Sequence, residues 1–304
     1  MRQMTFNCQK CMPCRINYTS SWALRCLYEL ASWNEASFIT LTYNDEHLPK
    51  DFSLQPEHLK NFWKNLRYYL SLEDRKLRYF ACGEYGDSEK KYLSPGAIKC
   101  HGRPHYHAIV FGLSPFSDSD RELVVKCWPY CDDWIFSKDR EEQAIDEVNV
   151  SDIRYVTGYV RKKLYGEMAK EEYGNAIKPF SRVSTGLGLD FAMKNRERLV
   201  SNGFTFLSGN KRVGIPRYFR VKFEVSAADL LKNVPSESRY KFEMEQNELF
   251  RLFERDMKKQ GTWYPDNYKM LELRFSRWLD NYRFTLVNQI QKDFEQRQRL
   301  VGKL

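Results

Sequence analysis

Residues 105–112, HYHAIVFG, constrain the chain more than any other stretch. Pro104 and Gly112 bound a run of β-branched and aromatic side chains, which predicts a buried strand. Alternate residues of a strand share a face, so His105 and His107 project together, with Ile109 and Phe111 continuing that side. The chain has only five histidines, and chance is a poor explanation for two at this spacing. Two neutral imidazoles side by side form a metal clamp. The competing reading is a cross-strand polar pair, or two exposed histidines at the sheet rim.

Three further stretches read as strands: SFITLTY (37–43), LRYFACGEY (77–85) and AIDEVNV (144–150). Helical periodicity covers 15–35 and 56–71, where Pro56 suits the first turn and Leu59, Phe62, Trp63 and Leu66 recur on one face. A short helix is predicted over 120–128. Another starts at Ser151 as N-cap and continues to Gly166. This order predicts an α+β fold: an antiparallel sheet of about five strands, ferredoxin-like, with helices on one side. Residues 167–224 read as loop-rich and basic. From residue 225 the pattern is charged helices, 237–259 and 270–299, broken by GTWYPDN. We therefore expect a domain over 1–224 and a helical region over 225–304 packed on it.

A metal clamp needs a third ligand. Along the second strand Arg78, Phe80, Cys82 and Glu84 share a face, and a hairpin through 86–104 would bring Glu84 beside His105. Two nitrogens and a carboxylate suit Mg²⁺ or Mn²⁺, with Zn²⁺ as an alternative. A solvated strand-end carboxylate is the plainer reading of Glu84. His101 is a rival ligand, although Gly102 and Pro104 put it in a turn.

YVTGYVRKK (155–163) places Tyr155 and Tyr159 four apart, on one face of the last helix, with Arg154, Arg161, Lys162 and Lys163 around them. Packing tyrosines on an amphipathic helix would look the same. Beside a metal site the pair acquires a chemistry. A phenol, ordinarily near pKa 10, attacks phosphorus only when the phosphate is polarised and its charge offset. A nearby lysine can stabilise the developing charge. The product is a phosphotyrosine ester that conserves the bond energy for rejoining, and two phenols allow two successive transfers.

Charge agrees with such a substrate. Forty-nine Lys and Arg against 40 Asp and Glu give a formal net charge of +9, which favours a polyanion, nucleic acid ahead of a membrane surface. Lys211, Arg212, Arg217, Arg220 and Lys222, interleaved with Tyr218 and Phe219, would grip phosphates and stack on unpaired bases. No apolar run approaches membrane-spanning length and the N-terminus has no signal-peptide pattern, so a reducing cytoplasm is expected. The eight cysteines are then thiols or metal ligands. CQKCMPCR sets Cys8, Cys11 and Cys14 at three-residue steps, a knuckle suited to structural Zn²⁺ or an iron–sulfur cluster. Cys26, Cys82 and Cys100 are candidates for a fourth ligand; reduced packing thiols are the alternative. The chain has no GxxxxGK[ST] stretch, so no ATPase is indicated.

These residues resemble the HUH endonucleases that initiate rolling-circle replication. FITLTY is similar to the family's first motif, PHYHAIVFG to its histidine–hydrophobic–histidine motif, and YVTGYVRKK to its two-tyrosine motif with trailing lysine. CQKCMPCR, FITLTYNDEHLP, RYFACGEYG, GRPHYHAIVFG, YVTGYVRKKLYG and GLGLDFAMKN together resemble, over roughly residues 8–220, the replication initiators of gokushovirus-type single-stranded DNA phages (Microviridae). The resemblance implies strand-specific nicking at a replication origin, a 5′ phosphate kept on tyrosine and a 3′-OH that primes synthesis. It also implies action in the bacterial host's cytoplasm, with a host polymerase and helicase as candidate partners. Carried over by position, Tyr155 and Tyr159 are nucleophiles, Lys162 the assisting lysine, and His105 and His107 metal ligands. Glu84 as third ligand follows by analogy of placement. Thr40 and Thr42 of the first motif are expected to have structural or DNA-positioning roles. Three rivals stay open at this point: a plasmid relaxase or single-strand transposase of the same chemistry, a non-enzymatic zinc DNA-binding protein, and a nuclease using water.

Overall fold

A computed structural model describes residues 12–86, 91–136, 144–162, 166–208, 211–233, 236–263, 274, 275 and 278. The chain forms two compact units, residues 1–199 with 205–224, and residues 200–204 with 225–304.

In the first unit, five strands make one antiparallel sheet: β1 (Ala36–Leu41), β2 (Arg78–Tyr85), β3 (Pro104–Phe111), β4 (Ile145–Glu147) and β5 (Phe180–Val183), in the order β4-β1-β3-β2-β5. The long apolar run takes the central place, because only there are both faces and both edges of a strand covered. All but one residue of β3 is buried.

Helices cover both faces of this sheet rather than one, and the apolar character of β2 and β3 on both sides is the reason. Against the face of Tyr79, Ala81, Tyr106, Ala108 and Val110 lies α2 (Pro56–Ser71), with Leu59, Phe62, Trp63, Leu66 and Leu70 buried along its stripe. Trp63 stacks on Tyr79 with ring centroids 3.8 Å apart, and α3 (Asp118–Cys127) adds Val124 and Cys127 to the same core. The other face carries Phe80, Ile109 and Phe111 toward α1 (Met12–Leu30), whose Trp22 meets Phe80 at 5.4 Å. Beside α1 lies α4 (Val150–Lys162), which packs on β2 and β3. A buried carboxylate ties this layer together: Glu29 accepts from Trp33 Nε1 and from the Gly188 N–H, each at 2.6 Å, and pairs with Arg78 at 3.3 Å.

Two boundaries differ from expectation. The cap of α4 is Asn149, whose Oδ1 accepts from the Ser151 and Asp152 N–H groups at 2.7 and 3.1 Å; Ser151 lies inside the helix. Gly166 does not end α4 but opens α5 (Gly166–Tyr173). The stretch read as loop contains more regular structure than its glycines suggest: β5, then α6 (Leu189–Lys194), α7 (Arg196–Asn202), the hairpin β6 (Phe204–Ser208) and β7 (Lys211–Gly214), and α8 (Arg217–Phe223). Gly186 and Gly188 supply left-handed turns entering α6.

The second unit contains α9 (Ala227–Asn233) and α10 (Ser236–Lys259). Phe253, fully buried, is ringed by Phe250, Trp263, Phe275 and Trp278. Apart from 274, 275 and 278, the predicted helix over 270–299 lies outside the described residues. No helix among the described residues is long and apolar enough to cross a membrane.

Candidate active site

Strand register builds the site. In the β2–β3 ladder Glu84 stands opposite His105 and Cys82 opposite His107; in the β1–β3 ladder Thr40 stands opposite His107. The two-residue period that puts both histidines on one face does the same for Glu84 on the neighbouring strand. His105 Nε2 lies 3.0 Å from Glu84 Oε1 and 3.1 Å from His107 Nε2, and His107 Nε2 lies 3.2 Å from the same carboxylate oxygen. Among the described residues this is the one group of three or more His, Cys, Asp and Glu side chains arranged to hold a metal ion.

The donor set fits a cation. His105 Nδ1 is 3.1 Å from the Arg103 carbonyl, which can only accept, so a neutral His105 carries its proton there and turns a bare Nε2 toward the carboxylate. Acceptor atoms thus converge on a point that a positive charge satisfies. Cis ligands of an octahedral ion at 2.0–2.1 Å are about 3.0 Å apart, those of a tetrahedral one about 3.4 Å. The observed 3.0–3.2 Å triangle is nearer the octahedral spacing. Burial opposes ionisation of Glu84, but hydrogen bonds from both histidines, the charge of His105 and a hydrogen bond with Tyr159 outweigh it and hold the carboxyl at about 2. It is ionised at any physiological pH.

His101, the rival ligand, is turned away. It is buried, with Nδ1 at 2.9 Å from the Gly102 carbonyl and Nε2 at 2.6 Å from Ser94 Oγ. Both ring nitrogens are engaged outside the triad.

The helix α4 brings its tyrosines onto this face. The Tyr155 ring lies 5.2 Å from that of His107 and the Tyr159 ring 5.6 Å, the latter stacked at 12°. Their own centroids are 4.8 Å apart. Phe38 also stacks on His107, at 5.5 Å. The two phenols are not equivalent: Tyr155 is 50% exposed and Tyr159 6%. Burial, a hydrogen bond with Tyr155 and the negative charge of Glu84 push the Tyr159 phenol far above its ordinary value.

Other expected site residues fare unevenly. Arg154 is exposed on α4 and Arg217 on α8, and Arg220 is half-buried. The side chains of Arg161, Lys162, Lys211 and Arg212, and all of Lys163, lie outside the described residues, as do Cys8, Cys11 and the side chain of Cys14. Of the candidate fourth cysteine ligands, Cys26 is fully buried and burial pushes its thiol far up, away from the thiolate a metal requires; Cys82 is buried and Cys100 exposed. The aromatics of the basic stretch do not present free faces to bases. Phe219 and Phe223 are in the core, and Tyr218 covers the Arg25 guanidinium at 3.8 Å. Periodicity explains this: the stretch is a helix, on which Phe219 and Phe223 share the buried side, and not the loop its composition suggests.

Fold and site together define an α+β protein with a metal-type donor set on the sheet and two phenols on an apposed helix. A family model for replication-associated proteins of the ORF2 type matches residues 36–164, the span from β1 through α4 and just beyond. The chain is 30% identical over 233 residues to replication-associated protein VP4 of Bdellovibrio phage phiMH2K, covering 72% of this chain and 68% of that one. It is 30% identical over 230 residues to replication-associated protein ORF2 of Spiroplasma virus 4, covering 71% and 67%. A match to replication-associated protein ORF4 of Chlamydia phage 1, also at 30%, covers 76% of this chain and 54% of the relative. No solved structure matches the chain at comparable significance. The chain belongs to the phage replication-associated protein family.

Proposed function

We propose that this chain initiates rolling-circle replication by nicking and rejoining one strand of phage origin DNA through tyrosine. The observation that carries the reading is the stacking of two phenols, four residues apart on α4, against a histidine whose other edge meets Glu84 and His105. Its family supplies the replication context.

In this reading Tyr155, the exposed phenol, receives the strand first. Its Oη–P bond forms as the P–O3′ bond breaks, and the phenolic proton is replaced on the departing oxygen, which leaves as a 3′-OH. One phosphodiester becomes another, so no water and no nucleotide triphosphate is consumed and the step is reversible. Mg²⁺ or Mn²⁺, held by Glu84, His105 and His107, supplies polarisation of the scissile phosphate. Tyr159, held below by Glu84, serves the second transfer, when the regenerated origin is cut while Tyr155 still carries the first end. Lys162, one turn beyond Tyr159, offsets developing charge. Arg154, Arg161, Lys163, Lys211, Arg212, Arg217 and Arg220 contact phosphates. Cys8, Cys11 and Cys14 contribute to a structural Zn²⁺ site. The chain acts in the host cytoplasm on melted or single-stranded origin DNA, with host helicase and polymerase unwinding and extending.

The test is a single-stranded origin oligonucleotide incubated with the full chain and Mn²⁺. A covalent protein–DNA band should form and vanish with EDTA. Tyr155→Phe should lower it by at least about 10³-fold. Tyr159→Phe should keep the first adduct and lose transfer to a second strand. Cleavage without any adduct, or equal adducts from both single variants, contradicts the assignment.

A further inference from the structure

The first strand contributes one side chain that touches the triad from behind. Thr40 lies opposite His107, and its Oγ1 is 3.0 Å from His107 Nδ1. We propose that Thr40 is the positioning residue that sets the His107 tautomer, taking Nδ1–H on its hydroxyl so that Nε2 keeps its lone pair for a divalent ion. The inference rests on the metal-site reading above but not on the nicking step.

A neutral imidazole has one N–H, and the nitrogen that carries it cannot ligate. His105 and His107 settle this differently. The partner of His105 Nδ1 is the main-chain carbonyl of Arg103, a group every residue at 103 would provide and one that only accepts. The partner of His107 Nδ1 is a side chain, so this half of the site depends on residue identity. Glu84 competes for the proton: its Oε1 lies 3.2 Å from His107 Nε2 and would draw the proton there. The hydroxyl of Thr40 is the acceptor at the opposite end of the ring. Stacking against Phe38 and Tyr159, at 15° and 12°, fixes the ring plane; the hydroxyl fixes its proton. Outer partners of this kind orient metal-binding histidines and tune their basicity.

The experiment uses the full chain and three substitutions. Thr40→Val keeps the β-branched shape without the hydroxyl, Thr40→Ala removes it with less bulk, and Thr40→Ser restores it. Nitrogen-15 shifts of His107 in the metal-free chain, with His105 as internal reference, read the tautomer. Wild type and Thr40→Ser should carry Nδ1–H; Thr40→Val and Thr40→Ala should shift to Nε2–H. By calorimetry Mn²⁺ affinity should fall about 10–100-fold in Val and Ala and stay within about threefold in Ser. Thermal melting of each metal-free variant identifies a folded pair to compare. The proposal is overturned if wild type carries Nε2–H, or if a folded hydroxyl-free variant keeps the wild-type tautomer and Mn²⁺ affinity. Neither readout involves DNA. A chain whose Mn²⁺ site depends on Thr40 but which forms no tyrosine adduct would sink the nicking reading and leave this one standing.

Discussion

His107→Ala should abolish nicking, with a loss of at least about 10³-fold, because one residue serves both halves of the site. Its Nε2 is a corner of the donor triangle, and its ring is the surface on which Tyr155 and Tyr159 lie. Removing it deletes a ligand and releases both phenols. Mn²⁺ affinity should collapse in parallel, while affinity for the oligonucleotide should change little, since that derives from cations elsewhere. His47→Ala, which alters an exposed histidine bonded to Asn44, should nick at the wild-type rate. Calorimetry and a gel-based cleavage assay on the two variants give the comparison. A His107→Ala chain that retains nicking within tenfold of wild type would remove the histidine from the chemistry.

The second large effect is structural. Gly102→Ala should cost about 3–5 kcal/mol and lower the melting temperature by roughly 10 °C. A Cβ at residue 102 would fall 1.4 Å from the Gly86 carbonyl oxygen, 2.3 Å from its carbon and 2.9 Å from its nitrogen. All three are main-chain atoms, so no side chain can swing aside. The strain falls where β2 and β3 diverge next to the triad. There the Gly86 N–H donates to the Arg103 carbonyl at 3.0 Å, and the same carbonyl faces His105 Nδ1. Opening that contact should weaken metal binding along with the fold. Gly214, with nothing within 4 Å of its added Cβ, is the control: Gly214→Ala should melt within about 1 °C of wild type. Circular-dichroism melts decide the matter, and equal melting temperatures for the two variants would contradict the crowding argument.

How the site is written in the sequence differs from residue to residue. The histidine pair needs only the two-residue period of a strand, and the tyrosine pair only the helical period, so both are legible locally. Glu84 is legible through hairpin logic, since an antiparallel return through 86–104 must set the end of one strand beside the start of the next. The Thr40 hydroxyl is out of reach. Its partner is 67 residues away, and which residue of FITLTY faces His107 depends on a register that a one-residue slip would invert. His101 cannot be separated from the true ligands by spacing, because its bonds to Ser94 and Gly102 arise only once the loop has folded. The second helical layer is hidden for a related reason. Continuous apolar runs such as AIVF show that both faces of a strand are covered but do not say by what. The four-residue strand β5, following Pro179 in a stretch rich in Gly, Ser and Lys, carries too little alternation to stand out.

The central claim is that a phenol of α4 takes the 5′ phosphate of the cut strand. It is tested most directly by trapping the adduct on an origin oligonucleotide with Mn²⁺, digesting the protein and locating the nucleotide by tandem mass spectrometry. The account predicts a phosphodiester on Tyr155 after the first cut, and on Tyr159 once a second substrate strand is supplied. A nucleotide on any other residue, or a cut strand ending in a free 5′ phosphate with the 155–159 peptide unmodified, would contradict it.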